Sequence, residues 1–290
     1  MKQVAIVVPN YNRTDQLRES LNSVVNQTFQ DFEIVLVDDG STNDFRSFIP
    51  DTLKETIKIV QLPGRSGAAR ARNAGVEATT APLVVFLDSD DIWESDKLQL
   101  QVTSLQTECD VSFTNYTIET NGTVVPRNFV PVFGKPISSD YLIEYGSVLG
   151  GFSGIAVKRE WLEKVNGLRD RLRSKQDYDL LIRLAKSGAQ IVGLAPSLYI
   201  MKKESVDRIS ASSYNRAQGA ISVINRFRDD FSRTKSNKMF VFIRQVIEYL
   251  KQNNHPQFVA VLKRVAVAHY LRNPFNLANI KQIIAILMSR

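Results

Sequence analysis

Asp88, Asp90 and Asp91 place three carboxylates within four residues, directly after the uncharged run Val84-Val85-Phe86-Leu87. Carboxylates this close repel one another unless something positive sits among them. A hard divalent cation that also grips a diphosphate would supply that charge. The apolar run, preceded by Pro82, reads as a buried strand. The carboxyl ends of such strands face the crevice where open α/β sheets bind ligands. A plainer reading is a strand end followed by an Asp cap for a helix starting near Trp93. On this stretch alone both readings stand.

Three further groups of residues could do chemistry. Pro9-Asn10-Tyr11-Asn12-Arg13 and Asp38-Asp39-Gly40-Ser41 each follow an apolar run. An aromatic ring at a strand end can stack on a nucleobase, and a carboxylate such as Asp39 can accept from a base N–H; turns and a helix cap are the plain alternatives. Arg70 and Arg72 lie at a probable helix start, where guanidinium groups and helix N–H groups meet phosphate oxygens. Residues two apart do not share a helix face, so at most one of the two reaches a site, and Arg72 is the choice. Asp177, in the first turn of an amphipathic helix beginning near Ser174, is either a complement to the helix dipole or a general base.

The elements that must position these residues alternate. Apolar runs at 3–9, 32–37, 57–62 and 83–87 read as strands. Segments 15–27, 66–79 and 95–107 carry helical spacing. Alternation of this kind predicts βαβ units and a mostly parallel, Rossmann-like α/β sheet. The middle, from about 110 to 200, is less regular: a strand from Asp110 to Ile118, a flexible loop at Gly150-Gly151-Phe152-Ser153-Gly154, a short strand at Ile155–Val157, and helices at Arg159–Val165 and Tyr178–Lys186. Residues 215–290 are nearly all helix-patterned.

Composition removes several function classes. Neither G-x-x-x-x-G-K-[ST] nor G-x-G-x-x-G after a strand occurs, so ATP hydrolysis and NAD chemistry lose their usual phosphate cradle. The single cysteine, Cys109, excludes internal disulfides and Cys-rich zinc sites and is expected in the core of a protein from a reducing compartment. The two histidines, His255 and His269, lie far from the acidic cluster. The apolar start, Val4 to Val8, is too short for a signal peptide, and no stretch of 18 apolar residues exists to span a membrane. Residues 215–290 carry 13 Lys/Arg against 3 Asp/Glu, so the whole excess of the net +7 charge sits in the tail. That distribution argues against a basic nucleic-acid groove.

Taken in order, Val7-Val8-Pro9-Asn10-Tyr11-Asn12, Val37-Asp38-Asp39-Gly40-Ser41, Ala71-Arg72-Asn73-Ala74-Gly75, Leu87-Asp88-Ser89-Asp90-Asp91 and Gln176-Asp177-Tyr178-Asp179-Leu180 resemble the family 2 glycosyltransferases, which have the GT-A nucleotide-diphospho-sugar transferase fold. The resemblance covers about residues 3–210. It implies a GT-A catalytic domain over 1–214, with a nucleotide-sugar half (1–110) and an acceptor half (111–214), and a basic helical appendage over 215–290. Pro9, Tyr11, Asn12, Arg13 and Asp39 would hold the base, usually uracil. Arg72 would meet the diphosphate. Asp88 and Asp90 match the DxD motif, with Asp90 as the direct ligand of Mn²⁺ or Mg²⁺. Asp88 would assist the metal and lie near the ribose or sugar, beside Ser89 and Asp91. Asp177 matches the catalytic base, although Gln176 stands where the family has Glu. No histidine follows the base helix, and Arg208 stands in roughly that region as a diphosphate contact.

The implied activity is an inverting, metal-dependent transfer from a nucleotide-sugar, most naturally UDP-linked, to a hydroxyl of a glycan or lipid-linked acceptor in surface polysaccharide biosynthesis. A hydrolase would want two carboxylates flanking the bond, and one is found beyond the metal cluster. The alternatives are a sugar-nucleotidyltransferase, disfavoured by the lack of a glycine-rich loop after the first strand, and a non-catalytic nucleotide- or sugar-binding module. The tail also has two readings. Segments 239–252 and 257–271 could rest a basic amphipathic face on an anionic membrane. They could instead form a helical bundle packed on the core or on a second subunit of a homodimer. A cytoplasmic enzyme visiting the inner membrane face is the expectation.

Overall fold

The computed structural model describes residues 2–127, 135–145, 150–203, 212–234 and 238–253, with a few residues beyond. They gather into two compact units: one of residues 1–138, 148–171 and 183–205, the other of 139–147, 172–182 and 206–290. The second unit thus takes in two internal segments as well as the tail, and a cut at 214 falls inside it.

The first unit holds a nine-stranded sheet: β1 (Val4–Asn10), β2 (Phe32–Asp38), β3 (Lys58–Gln61), β4 (Leu83–Phe86), β5 (Asp91–Trp93), β6 (Val111–Thr120), β7 (Thr123–Arg127), β8 (Ile155–Lys158) and β9 (Ile191–Lys202). Its order is β3-β2-β1-β4-β8-β6-β9-β5, with β7 paired to β6. The four strands of the βαβ portion, β3 to β4, are parallel as the alternation predicts. From there the sheet is mixed: β8 runs antiparallel between β4 and β6, β9 is parallel to β6, and β5 is antiparallel to β9. The mostly parallel expectation therefore holds for the first four strands, and beyond them the sheet is mixed.

Val4 to Val8 and Val35 to Val37 are buried, as strands covered on both faces must be. On one side lie α1 (Asp15–Val25) and α3 (Lys97–Thr107), whose Leu17, Leu21, Val24, Leu98, Val102 and Leu105 share one core with Val4, Ile6 and Val8. On the other lies α2 (Ala68–Glu77), whose alanines let it approach closely. Gly75 makes that approach: a Cβ there would stand 2.3 Å from Val7 Cγ1. The residues after the acidic cluster differ from the capped-helix reading. Asp91-Ile92-Trp93 is a short strand against Tyr199–Met201, and the helix starts only at Lys97. Cys109 is a core residue, and burial pushes its thiol up from the ordinary value. A short helix, α5 (Arg159–Lys164), follows β8.

The second unit is helical: α4 (Ser139–Tyr145), the first turns of α6 (Gln176–Lys186), α7 (Ser213–Arg226), α8 (Arg228–Thr234) and α9 (Lys238–Gln252). The apolar face of α9, with Phe240, Phe242, Ile243, Val246 and Ile247, is buried inside this unit, beside Phe231 and against α7 with its Ala217, Ala220 and Val223. Of the two readings for 239–252, the geometry is that of a bundle, so this face is not presented to a membrane. Most of 257–271 and both histidines lie outside the described residues. No described helix is long and apolar enough to cross a membrane.

Candidate active site

In the first unit, the loops after β1 and β2 are tied together. Asp39 N–H donates to Asn10 O at 2.8 Å, and Asn12 N–H to Ser41 Oγ at 2.9 Å. Asn12 has φ of +51°, a left-handed backbone that asparagine tolerates better than most residues, and its Oδ1 accepts from Thr42 N–H at 2.8 Å. Buried Asp38 closes its own loop by accepting from Ser41 N–H. Asp39 turns the other way: its two oxygens accept from Ser66 N–H (2.7 Å) and Gly67 N–H (2.8 Å), donors at the start of α2. Each oxygen keeps a second lone pair for a ligand. Tyr11 carries the guanidinium of Arg65 4.8 Å from its ring centre. Asn10, at the end of β1 and next to Pro9, is buried, and neither atom of its amide has a protein partner.

The motif at Ala71–Gly75 resolves residue by residue. Ala71 and Gly75 face the sheet. Arg72 is buried and pairs with Asp88. Asn73 holds the chain after α5, with Nδ2 on Leu168 O and Oδ1 on Leu168 N–H, both at 2.8 Å. Arg70 points elsewhere, to Glu77 at 3.1 Å on the exposed face.

Each carboxylate of the acidic cluster has its own protein partner, which relieves the repulsion among them. Asp88 has Arg72, and Asp90 has Arg13 at 3.4 Å. Asp91 is buried and accepts from Ser153 Oγ at 2.6 Å. Ser153 in turn accepts from Asp88 N–H at 3.0 Å, and its carbonyl receives the Trp93 indole N–H, also at 3.0 Å. Ser20 Oγ and Asp91 N–H both donate to Asp88 O. Ser89 is buried in the same turn. Among the described residues no three His, Cys, Asp or Glu side chains gather as a metal cage.

Sequence reasoning missed Phe152 and Ser153, which it assigned to a flexible glycine loop, and it missed Arg65. The loop is instead a single tight turn (Phe152–Gly154) that supports Arg72, Asp88 and Asp91. A usable signal was present: a buried-type aromatic and a serine between glycines, directly before a strand.

Asp177 lies in the second unit, in the first turn of α6. Around it Gln176, Tyr178, Asp179 and Leu180 are buried, while Asp177 itself is half-buried. Arg208 falls outside the described residues.

Known proteins bear on this geometry. The Glycosyl transferase family 2 model matches residues 5–165. The amylovoran biosynthesis glycosyltransferase AmsB of Erwinia amylovora is 30% identical over 213 residues, 68% of this chain and 69% of that protein. The UDP-Glc:alpha-D-GlcNAc-diphosphoundecaprenol beta-1,3-glucosyltransferase WfaP of Escherichia coli is 30% identical over 193 residues, 65% of this chain and 72% of that protein. Across other relatives the match spans from 14% to 94% of their length, and three of them are covered to 75%, 61% and 53%. The crystal structure of S. aureus TarS 1-349 in complex with UDP-GlcNAc aligns with a TM-score of 0.64 at 20% identity, covering 99% of this chain and 90% of that one, and shares the fold. With the sheet, the acidic strand end and these matches in agreement, the chain belongs to glycosyltransferase family 2 and is a glycosyltransferase of GT-A fold.

Proposed function

We propose that this enzyme moves a sugar from UDP to a hydroxyl of a glycan carried on a lipid diphosphate, with inversion at the anomeric carbon, as a step in building a surface polysaccharide. The observation that carries the reading is the pair of arginine–carboxylate contacts, Arg72–Asp88 and Arg13–Asp90, at the carboxyl end of β4. Two guanidinium groups and two carboxylates at one strand end suit a diphosphate with its sugar. UDP-glucose and a diphosphoundecaprenol-linked acceptor stand in the name of WfaP, and amylovoran biosynthesis in that of AmsB.

A divalent cation, Mn²⁺ or Mg²⁺, suits the carboxylates of this strand end. Asp88 faces Arg72 and Asp91 faces Ser153. Asp90, which Arg13 meets at 3.4 Å, would hold the ion, with Asp88 beside it. Magnesium-type sites commonly take one or two carboxylates plus substrate phosphate. When bound, the cation would neutralise charge on the leaving diphosphate.

The chain's own residues do the rest. Tyr11, with Pro9 and Asn12 around it, lies against the uracil, and Asp39 accepts from the base N–H with the lone pairs α2 does not use. Arg13 and Arg72 donate to the diphosphate. Asp88 and Ser89 meet the ribose or sugar, while Asp91 acts through Ser153. Asp177 takes the proton of the acceptor hydroxyl, whose oxygen attacks the anomeric carbon as the bond to the diphosphate breaks and UDP leaves. A positioned base of this kind is worth roughly 10²–10⁴-fold. One displacement inverts the anomeric centre.

Calorimetry with UDP and GDP, with and without Mn²⁺, on the wild type and Asp90→Asn tests the donor half. UDP binding that needs Mn²⁺ and is lost in Asp90→Asn is expected. Binding of neither nucleotide with metal present would remove the reading, and preference for GDP would change the donor. UDP release from UDP-glucose in the presence of GlcNAc-diphosphoundecaprenol tests the acceptor class.

A further inference from the structure

The turn that opens α6 is built under constraint, and the constraint comes from the C-terminal helices. Lys175, two residues before Asp177, has φ of +62°. That left-handed backbone disfavours any residue with a Cβ, and it persists where the surroundings over-determine it. Ser174 Oγ donates to Asn215 O in α7 at 2.9 Å. Gly219, one helical turn further on, leaves no space: a Cβ there would stand 2.1 Å from Ser174 Oγ and 2.7 Å from Ser174 O. At the last residue of α7, Arg226 Nη1 donates to Asp179 Oδ1 at 2.7 Å, and the Asp179 side chain is 1% exposed. From α9, the Phe242 ring meets Tyr178 edge-on at 5.7 Å and lies 4.7 Å from Lys175 Nζ. Tyr178 OH donates to Ile143 O in α4 at 2.7 Å.

Asn215, Gly219 and Arg226 are four and then seven residues apart, so they share one face of α7. We infer that this face is a positioning device: it grips residues 174–179 and thereby fixes where the Asp177 carboxylate points. The inference rests on Asp177 being the base. An ion pair with a buried partner, as Asp179 is in its pair with Arg226, is weak evidence for added stability, and fixing one arrangement out of several is the better-attested use of such pairs. Gly219 has the same logic, since an alanine would favour the helix itself yet displace the turn. Segment 213–252 is on this view part of the catalytic machinery's support, not an appendage.

Two readouts keep this inference apart from the assignment on which it rests. Hydrogen exchange of the 175–179 amides, on the full chain, reports whether α7 holds the turn. Turnover of UDP-glucose with GlcNAc-diphosphoundecaprenol reports what the turn does. In Gly219→Ala and Arg226→Ala, exchange should rise at least about tenfold. Turnover should fall on the order of 10²-fold, as expected when a reacting group is misplaced by about 1 Å. The donor KM and UDP affinity should stay within about twofold, because the loss is not one of uniform binding. Arg226→Lys, which keeps the charge, should recover most of the turnover. Unchanged exchange overturns the inference. So does raised exchange with wild-type turnover while Asp177→Asn is inactive, or a loss that follows donor KM instead of kcat. Wild-type turnover in Asp177→Asn would instead sink the base assignment, and the exchange result would then decide the grip by itself.

Discussion

The guanidinium carbon of Arg72 lies 3.9 Å from the centre of the Phe152 ring, so a buried cation from α2 rests on an aromatic from the turn before β8. The ring itself is held edge-on by Phe86 at 5.2 Å. Arg72 thus reaches Asp88 from a fixed platform. A cation–π contact is worth about 0.5–2 kcal/mol. Replacing Phe152 by Leu keeps the volume roughly and removes the π face, so UDP affinity should fall about 2- to 30-fold in calorimetry. Unchanged affinity would mean that Asp88 alone orients the arginine.

Asp39 joins the loop after β2 to the start of α2 by accepting from Ser66 and Gly67 N–H with separate oxygens. Asparagine can match one of these donors and would turn its own NH₂ toward the other. Leaving a donor unmet typically costs about 1–3 kcal/mol. Asp39→Asn should therefore melt several degrees lower and bind UDP more weakly. A melting temperature equal to wild type would show that α2 does not depend on this carboxylate.

Lys97 is fully buried, with Nζ 4.0 Å from the Trp93 ring centre and in contact with Gln101 Oε1. Burial pushes its pKa well below the ordinary 10.5. The sign follows from that direction. Between the depressed folded value and 10.5 the unfolded chain binds the extra proton, so stability rises with pH through this window and levels off above 10.5. Thermal melts from neutral to alkaline pH should show the rise in wild type and a flatter profile in Lys97→Met. Parallel profiles would mean the ammonium stays charged inside.

Asp110 supplies the acid limb. Burial raises its pKa, but hydrogen bonds from Lys158 Nζ and Gln190 N–H, each 2.9 Å, outweigh it and hold the carboxyl below 3.8. A depressed folded value contributes stability that is present above 3.8 and lost as pH falls through that lower value. The gap in melting temperature between wild type and Asp110→Asn should close in acid. A gap that stays constant below pH 4 would assign the effect to packing.

Much of the fold was legible because the strand cores that matter most, Val4 to Val8, Ile34 to Val37 and Leu83 to Phe86, are buried on both faces and so are continuous apolar runs. β9 was not legible: Ala195 and Pro196 are exposed in its middle, and the register against β6 shifts there, which breaks both periodicity and propensity. β5 is three residues long and exists only through its pairing with Tyr199–Met201. Among candidate site residues, the aspartates announced themselves by crowding. Ser153, Phe152 and Arg65 did not, because each gains its partner from chain far away in sequence. The α7 face was silent for a related reason: Asn215, Gly219 and Arg226 carry no shared chemical character, only a shared direction.

Sheet order and chain order disagree around Asp91. Its strand lies at the sheet edge with β9 as its neighbour, and β8, which carries Lys158 against Leu83, must slot between β4 and β6. A nascent chain that has left the ribosome only as far as residue 190 already owns all three aspartates of the cluster but lacks the strand that flanks the last of them. Contacts of such long sequence separation close slowly and late. The acidic strand end is therefore not a module that could be excised, transplanted or assembled early; the strand carrying Asp91 is paired only by chain synthesised a hundred residues after its own motif.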